Sequence, residues 1–161
     1  MPDYLKKSSF INFLIIIIIF SLDRVSKFYV ILNSESNSSP SLFTSKFLNI
    51  NLIWNEGIAF GLLSFDHKLY YNLLTVVILI ITAIILWMVS RSNGMEKIAF
   101  LIVLGGSLGN IFDRVLYKSV PDFIDFHINN FHWFIFNVAD IFITLGVILL
   151  IYLELIVKTK K

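Results

Sequence analysis

The sequence predicts an integral membrane protein that is mainly α-helical, with four transmembrane helices, a small extracytoplasmic β-element and a second outer loop. Of its 161 residues, 57% are hydrophobic and only 15% are charged, whereas a soluble domain carries about a quarter charged residues. Four apolar segments approach the ~20 residues that a helix needs to cross the hydrocarbon core. Between them lie two longer segments of mixed polarity, which favour loops or strands outside the membrane.

The four helices are predicted over about residues 10–32, 69–90, 98–116 and 137–157, within one membrane domain that covers residues 1–161. The first segment has an alternative interpretation, because Lys6 and Lys7 precede an apolar run as they do in a signal peptide. No small-x-small cleavage pattern follows, and apolar residues resume after Lys27. We therefore expect a retained helix, with a cleaved signal as the alternative.

The orientation follows from the Lys and Arg residues of the short connections. With both termini in the cytoplasm, that side holds Lys6, Lys7, Arg91, Lys97, Lys158, Lys160 and Lys161. The opposite side keeps Lys46, Lys68 and Lys118. This bias fits the positive-inside rule, so loops 33–68 and 117–136 are expected to face outwards.

The two outer loops differ in composition. Within residues 47–54, apolar and polar side chains alternate over the five positions 48–52, which predicts a strand. Asn55-Glu56-Gly57 has the composition of a turn, and residues 58–60 are expected to form a return strand. The loop of residues 117–136 is rich in Phe and Trp, a composition suited to the lipid headgroup zone.

Charged residues within or beside the apolar segments give the first indication of function. By the directions of the helices, all of them converge on the outer half of the bilayer: Asp23, Arg24, Lys27, Asp113, Arg114, Asp122 and Asp140. A charge at a helix centre costs about 2.5–3.5 kcal/mol on insertion scales, and less near the ends. Charges kept at that cost mark functional sites by default.

Asp122 and Asp140 are the strongest candidates for catalysis. The segment between them is long enough to fold back, so the two carboxylates can meet. Two adjacent carboxylates cannot both ionise comfortably, so they share a proton. The ionised member can then activate water while the protonated one donates to a carbonyl oxygen. The structural alternative is that Asp140 is a helix N-terminal charge favoured by the macrodipole and Asp122 is a solvated loop residue.

Supporting residues are predicted on the first and third helices. Asp23 and Lys27 are spaced i,i+4 and can pair on one face, although a simple ion pair with Lys27 extended towards water is the alternative. Gly106 and Asn110 share a face that permits close helix approach. Asp113 is expected to pair with the adjacent Arg114, which would keep it ionised. For that reason we rank Asp122 above Asp113 as the first catalytic carboxylate, with direct catalysis by Asp113 as the alternative.

Other chemistries find little support. Cysteine is absent, which excludes a thiol nucleophile, a disulfide framework and a Cys-based zinc site. His67 is isolated, and His127 and His132, at i,i+5, do not share a helical face, so neither a metal site nor a cofactor is expected. The net charge of +2 argues against nucleic acid. A non-enzymatic proton or ion pathway and an assembly subunit remain as alternative functions.

Five motifs, in order along the chain, make it similar to lipoprotein signal peptidase, the bacterial signal peptidase II family. They are Asp23-x3-Lys27, Asn55-x-Gly57-x-Ala59-Phe60-Gly61, Gly106-x-x-Gly109-Asn110-x-x-Asp113-Arg114, Val120-x-Asp122-Phe123 and Phe136-Asn137-Val138-Ala139-Asp140. The resemblance implies an aspartic endopeptidase with Asp122 and Asp140 as the catalytic pair. It also implies a surrounding site built from Asp23, Lys27, Asn55, Gly57, Gly106, Asn110, Asp113, Arg114, Asn137 and Ala139.

The resemblance further implies a reaction and a location. Members of the family cleave prolipoproteins before a cysteine that bears a diacylglyceryl thioether, at the outer leaflet of the bacterial cytoplasmic (inner) membrane. The substrate lipid and the membrane lipid are then partners, and globomycin, a cyclic lipopeptide, is an inhibitor. Two local departures are Glu56, where a small or polar residue is expected, and Pro121, which should stiffen the approach to Asp122.

Overall fold

The computed structural model describes residues 3–36, 41–57, 67–129 and 131–157. A short π-helical stretch, Leu153–Val157, follows the last α-helix. In chain order the other elements are α1 (Asp3–Ser36), β1 (Phe43–Thr44), β2 (Leu48–Asn55), α2 (His67–Arg91), α3 (Gly94–Tyr117), β3 (Val120–Ile128), β4 (Phe131–Phe136) and α4 (Val138–Tyr152).

Four helices form where the apolar segments predict them. Within the described residues, three stretches are long and apolar enough to cross a membrane, namely Tyr71–Arg91, Gly94–Tyr117 and Val138–Ile156. The 34-residue helix α1 extends past both ends of the predicted segment of residues 10–32. Because α1 is not among those three, its crossing of the membrane stays a prediction.

The segments expected to form the outer loops contain one antiparallel sheet with strand order β1-β2-β3-β4. Strand β2 confirms the prediction from alternation, and its long partner is β3, with Leu48 opposite Phe126 and Asn55 opposite Val120. The expected return strand at residues 58–60 lies outside the described residues. The aromatic segment expected as a loop is instead the hairpin β3–β4, because aromatic and β-branched side chains favour a half-buried pleated surface.

Helix α3 is the central helix, and it packs against α1, α2 and α4. Small residues permit these approaches: a methyl group on Gly106 would lie 2.6 Å from the carbonyl oxygen of Ala139 in α4. One on Gly105 would lie 2.9 Å from Cβ of Ile19 in α1. The close approach predicted for Gly106 is therefore confirmed, and it brings α3 and α4 together beside Asp140.

Burial is reversed relative to a soluble protein. Large apolar side chains such as Phe13, Ile80 and Ile148 are about half exposed on the outer faces of the helices. Charged and amide side chains are buried instead, and Asp23, Asp113 and Asn137 are completely inaccessible. This arrangement suits lipid outside and a polar cluster inside, since intramembrane charges face the bundle interior and pair there.

Replacement of Gly106 by Ala tests the contact between α3 and α4. In an isolated helix this change is favourable by about 1 kcal/mol. Here the added methyl collides with a backbone carbonyl, so we expect a net loss of about 1–3 kcal/mol, the range for overpacking. Thermal unfolding of purified protein should show a lower melting temperature. Leu116→Ala, at a more exposed position of α3, is the control. A Gly106→Ala protein at least as stable as wild type would contradict the packing.

Candidate active site

Lys27 joins α1 to α3 at the centre of the site. Its side chain is 1% exposed, and its ammonium lies 2.9 Å from a carboxylate oxygen of Asp23 and 2.7 Å from one of Asp113. It also donates to Oδ1 of Asn110 at 2.9 Å. The i,i+4 pair predicted from spacing is confirmed. The alternative in which Lys27 extends towards water is wrong, because three acceptors hold the ammonium inside.

Arg24 is a site residue that the sequence-based list of site residues omitted. Its guanidinium contacts both carboxylate oxygens of Asp113 and donates to Asp23 at 2.6 Å. It also lies over the ring of Phe112, 4.9 Å from the centroid. The sequence feature that could have identified Arg24 is its position between Asp23 and Lys27, in a segment where charge is costly.

Arg114 is not the partner of Asp113, which corrects the prediction. Side chains of adjacent helical residues point in different directions, and Asp113 turns towards α1 while Arg114 turns towards α2. There the guanidinium lies 5.6 Å from the ring centroid of Tyr71. Among the residues that the structure describes, its buried Nε and Nη1 atoms have no hydrogen-bond acceptor. Arg24 and Lys27 are the cations that contact Asp113, so they and not Arg114 are the reason to rank Asp122 above Asp113.

The N-terminus of α4 is built by a capping box. Oδ1 of the N-cap residue Asn137 accepts from the backbone N–H of Asp140, and a carboxylate oxygen of Asp140 accepts from the backbone N–H of Asn137, both at 3.1 Å. Asp23 accepts the backbone N–H of Ala139 at 3.0 Å. Asp140 thus does stabilise the N-terminus of a helix, as the structural alternative predicts. Its second carboxylate oxygen, however, points into the polar cluster and accepts a hydrogen bond from Asn110 at 2.8 Å.

Asp122 lies on β3 and is 4% exposed, so it is not the solvated loop residue of the structural alternative. Nδ2 of Asn137 donates to one carboxylate oxygen at 2.6 Å, and Nδ2 of Asn55 donates to the other at 2.8 Å. Asn137 therefore contacts both Asp122 and Asp140. The turn from β3 through β4 to α4 brings together two carboxylates that are eighteen positions apart.

Three asparagine side chains have fixed orientations because one side of each amide faces a group that can only donate. Oδ1 of Asn110 meets the ammonium of Lys27, and those of Asn55 and Asn137 accept backbone N–H groups. Each Nδ2 must then face a carboxylate. The amides consequently present only N–H groups to Asp122 and Asp140.

Buried carboxylates of the site fall into two electrostatic classes. Asp23 and Asp113 contact both Arg24 and Lys27, so two anions and two cations balance one another. Within the described part of the chain, Asp122 and Asp140 accept hydrogen bonds from neutral amides only. Burial is the main reason that the pKa of Asp122 rises from 3.8 to about 6. The negative charge of Asp140 raises it further, while the two asparagine donors and Lys27 oppose the rise.

Gly57 completes the wall of the site beyond the end of β2. Its φ of +98° favours glycine, and its N–H donates to Oδ1 of Asn55 at 2.7 Å. A methyl group on Gly57 would lie 2.5 Å from Leu74 and 3.0 Å from Nη1 of Arg114. The predicted site residues Asn55, Gly57 and Arg114 therefore adjoin one another, whereas Glu56 is exposed.

The spacing of His127 and His132 led us to expect that they do not lie side by side, and the structure shows that this expectation is wrong. His127 and His132 were separated on the assumption of a helix, but they are direct partners across the hairpin β3–β4. Their rings stack at 5.1 Å between centroids. With Asp125 they place one possible metal-ligand atom each within 4.8 Å of one another.

Comparisons with known proteins match almost the whole chain. The family described as Signal peptidase (SPase) II matches residues 15–156. A lipoprotein signal peptidase of Pelagibacter ubique is 44% identical over 155 residues, covering 96% of this chain and 93% of its own. The lipoprotein signal peptidase of Anaplasma phagocytophilum is 34% identical over 152 residues, covering 92% and 94%.

Solved structures agree with these relatives. A bacterial membrane enzyme determined by the in meso method at 2.3 Å resolution is 33% identical, with a TM-score of 0.69. The alignment covers 92% of this chain and 88% of that one. A second such structure, at 1.9 Å resolution, gives the same identity and TM-score, with coverage of 90% and 92%.

The raised pKa of Asp122 predicts how stability depends on pH. Because the folded protein favours the neutral carboxyl, the stability that Asp122 contributes is fully present below its ordinary pKa of 3.8 and is lost as the pH rises through about 6. The loss corresponds to about 3 kcal/mol. Relative to wild type, Asp122→Asn should therefore gain stability by about that amount between pH 4 and pH 8, measured by thermal unfolding at stepped pH.

The exposed carboxylate of Glu56 provides the control for this experiment. Glu56→Gln, measured over the same pH range, shows the effect of removing a carboxylate from an exposed position. Any fixed cost of placing an amide beside the Asn55 and Asn137 donors cancels, because only the change with pH is compared. A difference between Asp122→Asn and wild type that does not vary with pH would refute the buried, protonatable carboxyl.

Proposed function

This chain belongs to the signal peptidase II family, and we propose that Asp122 and Asp140 are the two carboxylates with which it removes signal peptides from lipoproteins. The observation that carries the proposal is their electrostatic setting. Both are held in place by neutral N–H donors, with no cation in direct contact among the described residues. Such carboxyl groups can gain and release protons during a reaction.

The other buried carboxylates of the cluster are less suited to proton transfer. The lone pairs of Asp113 and Asp23 are occupied by Arg24 and Lys27, and protonating either would break a buried ion pair. Breaking such a pair typically costs 3–5 kcal/mol. We assign Asp23 and Asp113 to holding Lys27, which in turn orients Asn110 towards Asp140.

The proposed mechanism uses the shared proton of the pair. The ionised carboxylate takes a proton from a water molecule, whose oxygen attacks the carbonyl carbon of the scissile peptide bond. The protonated carboxyl donates its proton to the carbonyl oxygen. Collapse of the tetrahedral intermediate then breaks the C–N bond, and the proton taken from water passes to the leaving amine. A hydroxyl group of the intermediate returns its proton to the carboxylate that had donated one, which restores the pair. The pKa of about 6 for Asp122 keeps both protonation states accessible near neutral pH.

Arg114 and Gly57 are proposed to position the substrate. The buried Nε and Nη1 atoms of Arg114 lack acceptors in the described part of the chain, and an uncompensated buried donor is costly. A peptide carbonyl of a bound substrate would supply one. Gly57 leaves room beside that guanidinium, since any side chain there would press on Arg114 and Leu74.

We place the site at the outer leaflet of the bacterial cytoplasmic membrane, with four spans and both termini in the cytoplasm. Retention of α1 as the first span is part of the proposal, because Arg24 and Lys27 bind Asp113 of α3 and Asp23 accepts a backbone N–H at the start of α4. In this orientation the sheet β1–β4 lies outside the bilayer. The excess of Lys and Arg on the opposite side supports it.

The proposed substrates are prolipoproteins that carry a diacylglyceryl group on the cysteine after the cleaved bond. An apolar groove of about 420 Å³ runs between α1 and α3 and is suited to an acyl chain. Its wall includes Phe20 and Phe112, whose rings also contact the guanidinium of Arg24. The groove thus reaches from the lipid-facing surface to the edge of the polar cluster. Globomycin, as a lipopeptide, is expected to occupy the same region.

Conservative substitution of each aspartate tests the catalytic pair. We expect Asp122→Asn and Asp140→Asn each to lower cleavage of a diacylglyceryl-modified prolipoprotein by more than about 100-fold, because general acid–base catalysis contributes about 10²–10⁴. Asp113→Asn should retain measurable turnover. Cleavage is followed with purified protein in lipid, and thermal unfolding verifies that each variant is folded.

Glu56→Gln is the matched control, since it removes an exposed carboxylate beside the site. It should cleave as wild type does. Substantial turnover by folded Asp122→Asn or Asp140→Asn would refute the pair. If folded wild-type protein cleaves no such substrate, proton flux in proteoliposomes becomes the next measurement, because a proton pathway is the competing function.

Lipid dependence tests the substrate assignment separately. A prolipoprotein lacking the diacylglyceryl group should be cleaved far more slowly than the modified form, since binding energy from the acyl chains is lost. Globomycin should inhibit cleavage of the modified form. Equal rates with both substrates would reject the lipid requirement while leaving the catalytic pair intact. Replacing Ile111 in the groove by Trp should raise KM for the modified substrate and leave the unmodified one unaffected.

A further inference from the structure

We propose that Asp125, His127 and His132 bind one divalent transition-metal ion, zinc above others, on the hairpin β3–β4. One possible ligand atom from each of the three residues lies within 4.8 Å of the other two. The site uses none of the residues of the catalytic cluster. The proposed metal site therefore does not depend on the proposed hydrolysis.

The backbone of the hairpin brings the ligands together. His127 and His132 are paired across β3 and β4, and their rings stack with an angle of 21° between planes. Asp125 lies two positions before His127, and the register shifts between them. Such irregularities re-aim side chains and occur often beside functional sites. Strand pairing thus fixes all three Cα positions without a metal.

The polar atoms of this cluster are incompletely satisfied. Asp125 is 3% exposed, and it accepts from Asn49 at 3.3 Å and contacts Nδ1 of His132 at 2.9 Å through both oxygens. Nδ1 of His127 is buried and has no hydrogen-bond partner among the described residues. A buried carboxylate and an unpartnered imidazole nitrogen both gain from a shared cation.

Donor chemistry selects the class of ion. Two imidazoles and one carboxylate suit zinc and related transition metals, whereas calcium and magnesium prefer ligand sets composed of oxygen. In a tetrahedral zinc site the donor atoms are about 3.3 Å apart. Ligand atoms that lie up to 4.8 Å apart must therefore approach one another by up to about 1.5 Å. The His132 side chain is 53% exposed, which gives the ion an entry path. Asn49 would orient the carboxylate from outside the ligand set, as such partners commonly do.

Metal binding would connect β3 to β4 through side chains, close to Asp122 on the same strand. The structural alternative is a simple ion pair between Asp125 and a protonated His132. The two accounts differ in a measurable way, because only the first requires His127. An ion pair also gives no reason for binding a metal with a defined stoichiometry.

The test is zinc binding by the full-length protein in lipid nanodiscs, after removal of any polyhistidine tag. Competition with a chromophoric chelator at pH 7.5 should give one zinc per chain. His127→Gln and His132→Gln should each weaken binding at least tenfold. His67→Gln, which removes the third histidine of the chain, is the matched control and should bind as wild type does.

Cobalt provides a second measurement that does not depend on activity. The wild-type protein should show visible ligand-field absorption on adding Co²⁺, and His132→Gln, whose side chain is half exposed and tolerant of replacement, should lack it. Wild-type affinity in His127→Gln would leave only the ion pair and overturn the proposal. So would a wild-type protein that binds zinc no more tightly than the double variant His127→Gln/His132→Gln.

Discussion

The buried ammonium of Lys27 is the interaction on which the rest of the structure depends. It joins two carboxylates and an amide from two helices in a place that is 1% exposed. Removing one partner from such a cluster leaves an uncompensated buried charge, which is costly in protein and more so beside lipid. The positions of α1 and α3 relative to each other are therefore set by charge. Apolar faces turned towards lipid supply little preference for one packing over another.

Charge balance around Lys27 also explains why chemistry is assigned to Asp122 and Asp140. Lys27 and Arg24 neutralise Asp23 and Asp113. Among the described residues, the other two carboxylates of the cluster, Asp122 and Asp140, have no cation in contact. Neutral amides hold them in position without fixing their protonation. The same fold thus contains a rigid, fully paired half and a half that can exchange protons.

The asparagines link these two halves. Asn110 accepts from Lys27 and donates to Asp140, and Asn137 accepts from the start of α4 and donates to Asp122. Each amide is oriented by a donor-only neighbour, so the geometry at the carboxylates is determined by groups one step away. Asp122 is costly to ionise in this setting, since burial raises its pKa to about 6. Stability is thus reduced at the carboxyl that we propose to be reactive, and such a trade-off is common in active sites.

The apolar helices, the strand β2 and the concentration of charges near one end of the bundle could be predicted from the sequence, because they depend on local composition and periodicity. The sequence also indicated Asp122 and Asp140 as a pair, together with the i,i+4 contact of Lys27. That Arg24 and not Arg114 pairs with Asp113 depends on how α1 packs against α3, since a partner on another helix can outcompete an adjacent residue. The contact between His127 and His132 likewise follows from the tertiary structure, because a hairpin makes partners of residues that a helix would separate.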